Sequence, residues 1–422
     1  MANKMSTCQS PISRRRLLQA ALAGGMGFLG MPRIGRTSNE ALPPVRAITR
    51  GPKYHWFGYY DKLEFDPTNR FVLGMEVDFE HRSPTPDDSI AIGMVDLHDG
   101  DRWIELGRSS AWCWQQGCML QWIPGSQNEI LWNDRDGDHF CCRILNIESG
   151  KLRTIPHPVY ALSPDGTTAV SLDFSRLNDV RPGYGYVGLP DPYANVSAPE
   201  ESGIYRVDLE NGTQDMIFSL AKIAGFGRRL PTMEGAKHKF NHLLYSPDGS
   251  RFIFLHRWTG PKGRQTRMFT ATPAGDDLRI VDDNGLTSHF IWRDPQHILA
   301  FSDQWSHGMR FYLFEDGGKR TVEVVGPVEM TSDGHCSYVP GGQWILNDTY
   351  PQAGFQHVYL FHVPTGKKIP LGHFRAPAEY VGEWRCDTHP RHSRNGKMVV
   401  IDAPEAGSGR QLHLIDISQI HT

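Results

Sequence analysis

The sequence predicts an all-β protein, a single seven-bladed β-propeller, and three observations favour this fold class. The chain of 422 residues contains 43 Gly, 29 Pro, 11 Trp and 14 Tyr. This composition favours short strands and tight turns, because Gly and Pro occur in turns and aromatic side chains fit pleated surfaces. A similar turn recurs at blade-sized intervals, and histidine stands at the same position before four of these turns.

The recurring turn consists of Pro, Asp, Asn and Gly between short β-rich runs. Its intervals of roughly 40 to 57 residues match four-stranded propeller blades, with one longer interruption after Pro164. Each turn is expected to join the innermost strand of a blade to the next strand. The seven copies are Asp66-Pro67-Thr68-Asn69, Pro124-Gly125, Pro164-Asp165-Gly166, Pro247-Asp248-Gly249, Asp294-Pro295, Pro340-Gly341-Gly342 and Arg394-Asn395-Gly396.

The last blade has only three expected strands, near residues 387 to 393, 397 to 402 and 411 to 417. We expect the N-terminus, around Val45 to Thr49, to supply the missing outer strand, because closure leaves no exposed edge. Residues 37–54 are thus a linker and closing strand, and residues 55–422 form the propeller. The Pro- and Gly-rich residues 174–202 predict a long loop over one face. A two-domain α/β fold lacks support, since only residues 219–223 suggest a helix.

Residues 1–36 resemble a twin-arginine export signal. Arg14, Arg15 and Arg16 precede an apolar, Gly-rich run without acidic residues, which predicts a periplasmic or secreted protein. The run is short and interrupted by glycine, so no integral membrane span is expected in the mature chain. No clear cleavage site follows, which leaves an uncleaved anchor open.

Charge excludes some partners. Removal of residues 1–36 leaves 38 basic and 47 acidic residues, a net charge of −9. Nucleic acid is therefore not an expected partner, and an acidic ligand must be met by local positive groups. Four cysteines lie close together in the sequence, and the pattern leaves open whether they form disulfides or stay as buried thiols. They are Cys113, Cys118, Cys141 and Cys142.

Four histidines share one position, five residues before the first turn residue in four consecutive blades. Because innermost strands surround the axis of a propeller, these side chains are expected to converge on the central channel. Imidazoles gathered there suit a divalent transition metal, with Mn or Zn the expected ions, although one or more could be structural. The four are His242, His289, His335 and His389.

The hairpin around Pro247-Asp248-Gly249 brings His256 and Arg257 back to the edge where His242 lies. The same hairpin geometry in other blades places Asp348 and Asp402 at this edge of the channel. His256 could accept a proton and Arg257 could bind a carboxylate. Tyr184, on the long loop, could reach over the site as a proton donor.

Two stretches resemble the oligogalacturonate lyase family, with seven-bladed ulvan lyases as a related comparison: FIFLHRWTGPKGRQTRMF (252–269) and SHFIW (288–292). The resemblance implies a histidine base at His256 and a metal ligand at His289, with the metal binding a uronate carboxylate. The stretch TSDGHCSY (331–338) departs from the family, which has a denser Gln and His cluster there. Metal identity, ligand set and substrate therefore stay open.

The resulting hypothesis is a metal-dependent polysaccharide lyase that cleaves uronate-containing oligo- or polysaccharides by β-elimination. This reaction needs a neutralised carboxylate and a base near the C5 proton. The alternative is a non-catalytic periplasmic propeller that binds protein or glycan, since the fold serves both uses. A hydrolase is a third reading.

Overall fold

Seven four-stranded antiparallel sheets make up the described part of the chain, which confirms the predicted seven-bladed propeller. The structure, a computed structural model, describes residues 41–260, 263–318 and 323–420, and the predicted export signal lies outside these ranges. Strand β1 (Val45–Ala47) belongs to blade 7. Blade 1 contains β2 (Tyr54–Trp56), β3 (Phe71–Val77), β4 (Ile90–Asp96) and β5 (Arg102–Ser109), and blade 2 contains β6 (Gln121–Trp122), β7 (Glu129–Asp136), β8 (His139–Asn146) and β9 (Leu152–Ile155).

The remaining blades follow in chain order. Blade 3 contains β10 (Ala161–Leu162), β11 (Thr168–Leu172), β12 (Gly203–Asp208) and β13 (Gln214–Ser219), and blade 4 contains β14 (His238–Tyr245), β15 (Phe252–Gly260), β16 (Gly263–Ala271) and β17 (Arg279–Gly285). Blade 5 contains β18 (Thr287–Asp294), β19 (His297–Gln304), β20 (Gly308–Glu315) and β21 (Glu323–Val324), and blade 6 contains β22 (Ser337–Tyr338), β23 (Trp344–Asn347), β24 (Phe355–His362) and β25 (Lys367–Arg375). Blade 7 contains β26 (Arg391–His392), β27 (Met398–Glu405), β28 (Gly409–Asp416) and β1.

Each of the seven predicted turns lies between the first and second strands of a blade. The turn of blade 4 shows why this chemistry recurs. Ser246 Oγ donates to Asp248 at 2.7 Å, Asp248 accepts the backbone N–H of Ser250, and Gly249 has a φ of +73°. The short polar side chains thus replace backbone partners, while glycine adopts the left-handed conformation.

The N-terminal strand closes blade 7, as predicted. Val45 pairs with Ile415, and Ala47 pairs with His413. The contact continues beyond β1, because Ile48 N–H donates to Leu412 O at 2.9 Å and the Ile48 side chain is buried. The first and last segments of the propeller therefore share one sheet.

Deletion of residues 1–49 is expected to lower the melting temperature relative to deletion of residues 1–41. The larger deletion exposes the edge of β28 and removes buried Ile48, worth roughly 1.5–3 kcal/mol of burial. Thermal unfolding and size-exclusion chromatography of both variants measure stability and edge-driven association. Identical behaviour of the two would contradict the closing role.

Adjacent residues of a strand face different blades. In β15, Phe254 contacts Phe218 of blade 3, whereas Leu255 packs in a core with Phe290 of blade 5. Since successive side chains alternate between the faces of a strand, His256 follows the first face and Arg257 follows the second.

Within the described ranges, two short helices interrupt the all-β pattern. Helix α2 (Leu220–Gly225) lies where residues 219–223 suggested one. Helix α1 (Phe174–Val180) falls inside the predicted loop of residues 174–202 and was not expected; it begins where Asp173 accepts the Arg176 N–H at 3.0 Å. Single 3₁₀ turns span Pro231–Met233 and Gly382–Trp384.

The cysteines of the described ranges are buried free thiols, so the disulfide alternative is wrong. Among the described residues, none of the helices is both long and apolar enough to cross a bilayer.

Candidate functional site

The four in-register histidines converge on the axis of the propeller, where Tyr59 and Tyr60 pack against them. The ring centroids of His289 and His335 lie 4.2 Å apart, as do those of His335 and His389. Tyr60 contacts three of the histidine rings at 5.3–5.8 Å. The shared position before each turn therefore corresponds to a shared location in space.

Irregular backbone directs these side chains inward. His242 and His389 have φ angles of 51° and 39°, in the left-handed region that ordinary residues avoid. The pairing of β18 with β19 also shifts register between Thr287 and Phe290, around His289. Left-handed residues cost roughly 1–3 kcal/mol each and, like bulges, often occur at functional sites.

His242 has partners of its own and lies apart from the other three. Its Nε2 is 3.1 Å from Asp61, and its Nδ1 is 3.5 Å from the Tyr59 hydroxyl. Its ring stacks on Phe290 at 3.9 Å. Burial lowers the pKa of His242 to about 4 despite Asp61, so the imidazole is neutral at neutral pH.

Three buried groups could hold a metal ion: His335, Asp387 and His389. One ligand atom from each lies within 4.8 Å of the other two. A donor set of two imidazoles and a carboxylate suits transition metals such as Mn or Zn. The geometry thus brings together two of the four predicted histidines and adds a carboxylate.

Hydrogen bonding orients His335 for this role. Its Nδ1 is 2.9 Å from Asp348, which leaves Nε2 available for a metal. Thr388 Oγ1 also donates to Asp348, at 2.5 Å. A carboxylate behind a histidine ligand is a common arrangement in metal sites, because it sets both the tautomer and the ring orientation.

The two histidines of the cluster differ in acidity. Burial lowers the pKa of His335, but the carboxylates of Asp348, Asp387 and Asp333 together outweigh burial and raise this pKa above 6.5, with Asp348 contributing most. Burial and the neighbouring His335 hold the pKa of His389 well below 6.5. The neutral form that binds a metal is therefore reached at a higher pH for His335 than for His389.

His289 links the metal cluster to a cavity of about 290 Å³. Its Nδ1 is 2.9 Å from Asp333, which lies in the segment between β21 and β22. Burial lowers the pKa of His289, and Asp333 only partly offsets this effect. The cavity is lined by Tyr59, Arg181, Tyr184, Arg257, Arg264, Ser288, His289, Asp333, Tyr350 and Arg385.

Positive charge dominates this cavity. Arg181, Arg257 and Arg264 all line it, and none of these guanidinium groups forms an ion pair with a carboxylate of the described residues. Arg257 donates from Nη2 to Thr287 O at 3.1 Å, while its buried Nε has no partner there. Burial and Arg264 lower the pKa of Arg257 to about 10. Arg257 is buried, whereas Arg181 is half-buried and Arg264 is exposed. An unpaired buried guanidinium beside two further cations indicates a site for an anion.

Two arginines next to Tyr184 favour loss of the proton from its hydroxyl. Arg385 donates to its hydroxyl at 2.7 Å, and the Arg181 guanidinium lies 5.0 Å from its ring. Burial raises the pKa of Tyr184, but Arg385 and Arg181 outweigh burial and lower this pKa below its usual value of 10. Arg385 also pairs with Asp387 at 2.7 Å, so one side chain connects Tyr184 to the metal cluster.

The wall that carries Tyr184 is held in place by Arg176. This fully buried guanidinium pairs with Asp191 at 3.0 Å and donates to the carbonyl oxygens of Val196 and Ser197 at 2.8 Å. The loop is thereby tied to blade 4, where Arg176 also donates to His238 O. Tyr184 is therefore positioned by an anchored loop.

His256 lies on the other face of β15. Its Nε2 is 2.8 Å from His238 Nδ1, and its Nδ1 is 3.2 Å from Arg267. The ring is fully buried next to Trp258 and does not line the cavity in the described structure. Of the three predicted catalytic residues, Arg257 and Tyr184 meet in one cavity and His256 does not join them.

Sequence reasoning missed several groups of this site. Asp387 precedes His389 by two residues, and Asp333 precedes His335 by the same spacing. In extended chain, residues two apart share a face, so this repeated Asp-x-His spacing is a signal that could have found both carboxylates. Arg181, Arg264, Arg385 and Tyr350 have no such signal, since loops and separate blades bring them together.

Solved structures with similar folds are known, although no protein-family profile and no curated protein matches the chain. An oligogalacturonate lyase from Vibrio parahaemolyticus is 14% identical, with a TM-score of 0.62, and the match covers 90% of this chain and 94% of that one. An oligogalacturonate lyase in complex with manganese gives the same identity and TM-score, with coverage of 89% and 93%.

A puromycin-hydrolyzing peptidase from Mycobacterium tuberculosis is also 14% identical, with a TM-score of 0.50, over 85% of this chain and 52% of that one. At these identities the likeness shows the seven-bladed fold alone. Function must be argued from the site.

Proposed function

We propose that the protein is a metal-dependent lyase that cleaves uronate-containing oligo- or polysaccharides by β-elimination. The observation that carries the proposal is one cavity in which unpaired arginines and a tyrosine of lowered pKa adjoin a His-Asp-His cluster. Similarity in fold to oligogalacturonate lyases, one of them with manganese, supports it.

The residues present fit a divalent transition metal. His335, Asp387 and His389 supply three ligand atoms, and the Asp348 carboxylate orients His335. Three protein ligands leave coordination positions open, as in catalytic sites. When bound, such an ion would supply positive charge for the substrate carboxylate.

Arg257, Arg181 and Tyr184 carry out the steps of the reaction that we assign to protein side chains. Arg257 and Arg181 bind the uronate carboxylate, which makes the C5 proton more acidic. Tyr184, as phenolate, accepts this proton; the C5–H electron pair forms the C4=C5 double bond, and the C4–O bond breaks. The leaving oxygen then takes the proton from Tyr184. The products are an unsaturated uronate and a free hydroxyl end.

Assay of a panel of uronate polymers tests the proposal. Protein freed of metal with a chelator is compared with protein reloaded with Mn²⁺ or Zn²⁺, and the unsaturated-uronate absorbance band is followed. Metal-dependent growth of this band with at least one polymer is expected. Binding without any absorbance change would instead favour the non-catalytic alternative, and new reducing ends without the band would indicate a hydrolase.

Arg257→Lys is expected to lower kcat/KM by roughly tenfold to a hundredfold, the scale of a lost charge-assisted hydrogen bond. An ammonium keeps the charge but cannot hold a carboxylate in the bidentate manner of a guanidinium. Steady-state kinetics measures the change. Arg293→Lys is a matched control, because Arg293 pairs with Asp294 in the turn at the other end of β18. Equal kinetics for the two variants would exclude Arg257 from the site.

A further inference from the structure

Lys239 is a buried amine next to the arginines of the cavity. It is 5% exposed, and it lies directly opposite Arg257 in the pairing of β14 with β15. Its Nζ has one weak acceptor, Val180 O at 3.4 Å, where helix α1 ends. Within the described ranges no carboxylate pairs with it, although an ammonium so deeply buried normally requires one.

Four arginines are the charged groups that act most strongly on Lys239. Arg257 faces it from β15 and Arg264 from β16, while Arg181 lies at the C-terminal end of α1. Arg176 lies within α1 and is paired with Asp191, and Asp179, beside the Val180 acceptor, is paired with Lys237. Burial, followed by these four guanidinium groups, lowers the pKa of Lys239 to about 6. In the free protein at neutral pH the amine is therefore mostly neutral.

An anion in the cavity reverses this balance. Negative charge beside Arg257 offsets the repulsion between the guanidinium groups and Lys239, so protonation of the amine becomes favourable. We propose that the arginine cavity binds its anionic ligand together with one proton, which Lys239 takes up. Lys239 is then a positioning residue that adds a positive charge only when the ligand is present.

The direction in which anion affinity changes with pH follows from the coupling between anion binding and proton uptake by Lys239. Below about pH 6 Lys239 is already protonated, so binding takes up no proton and affinity does not change with pH at this group. Above that pH the proton must be acquired on binding, and affinity falls by up to about tenfold per pH unit. The inference deepens the proposed function, but it does not require cleavage.

Inorganic sulfate provides a test that is independent of catalysis. Chelator-treated protein without buffer is saturated with sodium sulfate in a pH-stat, against NaCl of equal ionic strength. Wild type is expected to take up close to one proton per chain at pH 8 and close to none at pH 5. Lys239→Met and Lys239→Arg are expected to lose this uptake, the latter while still binding sulfate. Lys237→Met is the matched control, because exposed Lys237 pairs with Asp179.

Proton uptake by Lys239 and lyase activity can each be absent without the other. Absence of sulfate-dependent uptake in wild type, or equal uptake in folded Lys239→Arg protein, overturns the role of Lys239. Uptake without lyase activity on any polymer supports the inference and removes the proposed function. If cleavage occurs, KM for the uronate substrate is expected to rise from pH 7 to pH 9 in wild type more steeply than in Lys239→Arg, with similar kcat profiles.

Discussion

Replacing His389 with alanine is expected to abolish stoichiometric metal binding and, with it, any lyase activity. His389 is one of the three ligand groups that the described residues supply to the cluster. Its loss should therefore weaken affinity by at least the roughly 10- to 100-fold seen when mere supporting groups are removed. Elemental analysis and calorimetric titration with Mn²⁺ and Zn²⁺ measure the change. His362→Ala removes a partly exposed histidine of an outer strand and should keep the metal.

His242→Ala distinguishes the cluster from the ring of four histidines predicted by the sequence. Because His242 contacts Asp61 and Tyr59, the His242→Ala protein is expected to be less stable than wild type but to keep its metal. Loss of metal from a folded His242→Ala protein would instead show that all four histidines contribute. A cluster that binds no metal in wild type would exclude the metal-dependent mechanism.

Metal affinity should also depend on pH in a defined direction. The pKa of His335 is raised above 6.5 by Asp348, and the ligating form is the neutral one. Affinity is therefore expected to be highest above this pKa and to fall as pH decreases through it. Asp348→Asn should shift this fall to lower pH, because the pKa of His335 then loses its support.

Tyr184→Phe is expected to lower turnover by roughly a hundredfold or more, the scale of losing one positioned proton-transfer group. The phenyl ring keeps the packing, so melting temperature and metal content should change little. The pH profile of kcat/KM gives a second readout, since its limb at the lowered pKa of Tyr184 should disappear in the variant.

His256→Ala tests whether His256 is the base, as the family resemblance implies. Since His256 is fully buried between His238 and Arg267, its truncation is expected to cost stability, about 1–3 kcal/mol for the partners left unsatisfied, with turnover nearly unchanged. A stable His256→Ala protein with a hundredfold lower kcat, beside an active Tyr184→Phe protein, would move the base to His256.

Local chemistry explains why the fold could be predicted so fully. The turn Pro247-Asp248-Gly249 and its six counterparts depend on residues within a few positions of one another, and this is also true of the alternation within each strand. The three-stranded last blade then required an extra strand to cover its edge. The helix at Phe174–Val180 could not be predicted from the sequence, because its first turn depends on a single cap, Asp173, in a segment dominated by glycine and proline.

By itself the sequence determined the seven blades, their closure by residues near Val45, and a shared axial position for four histidines, because turns and strand register are set by short-range interactions. Only the tertiary structure decided which groups act together. His256 and Arg257 are neighbours in sequence, yet alternation sends them toward different blades. Arg385 is distant in the chain from Arg181 and Tyr184, and the three side chains meet only because the anchored loop packs against the segment before blade 7. The site therefore depends on long-range packing, whereas the fold follows from repeated local signals.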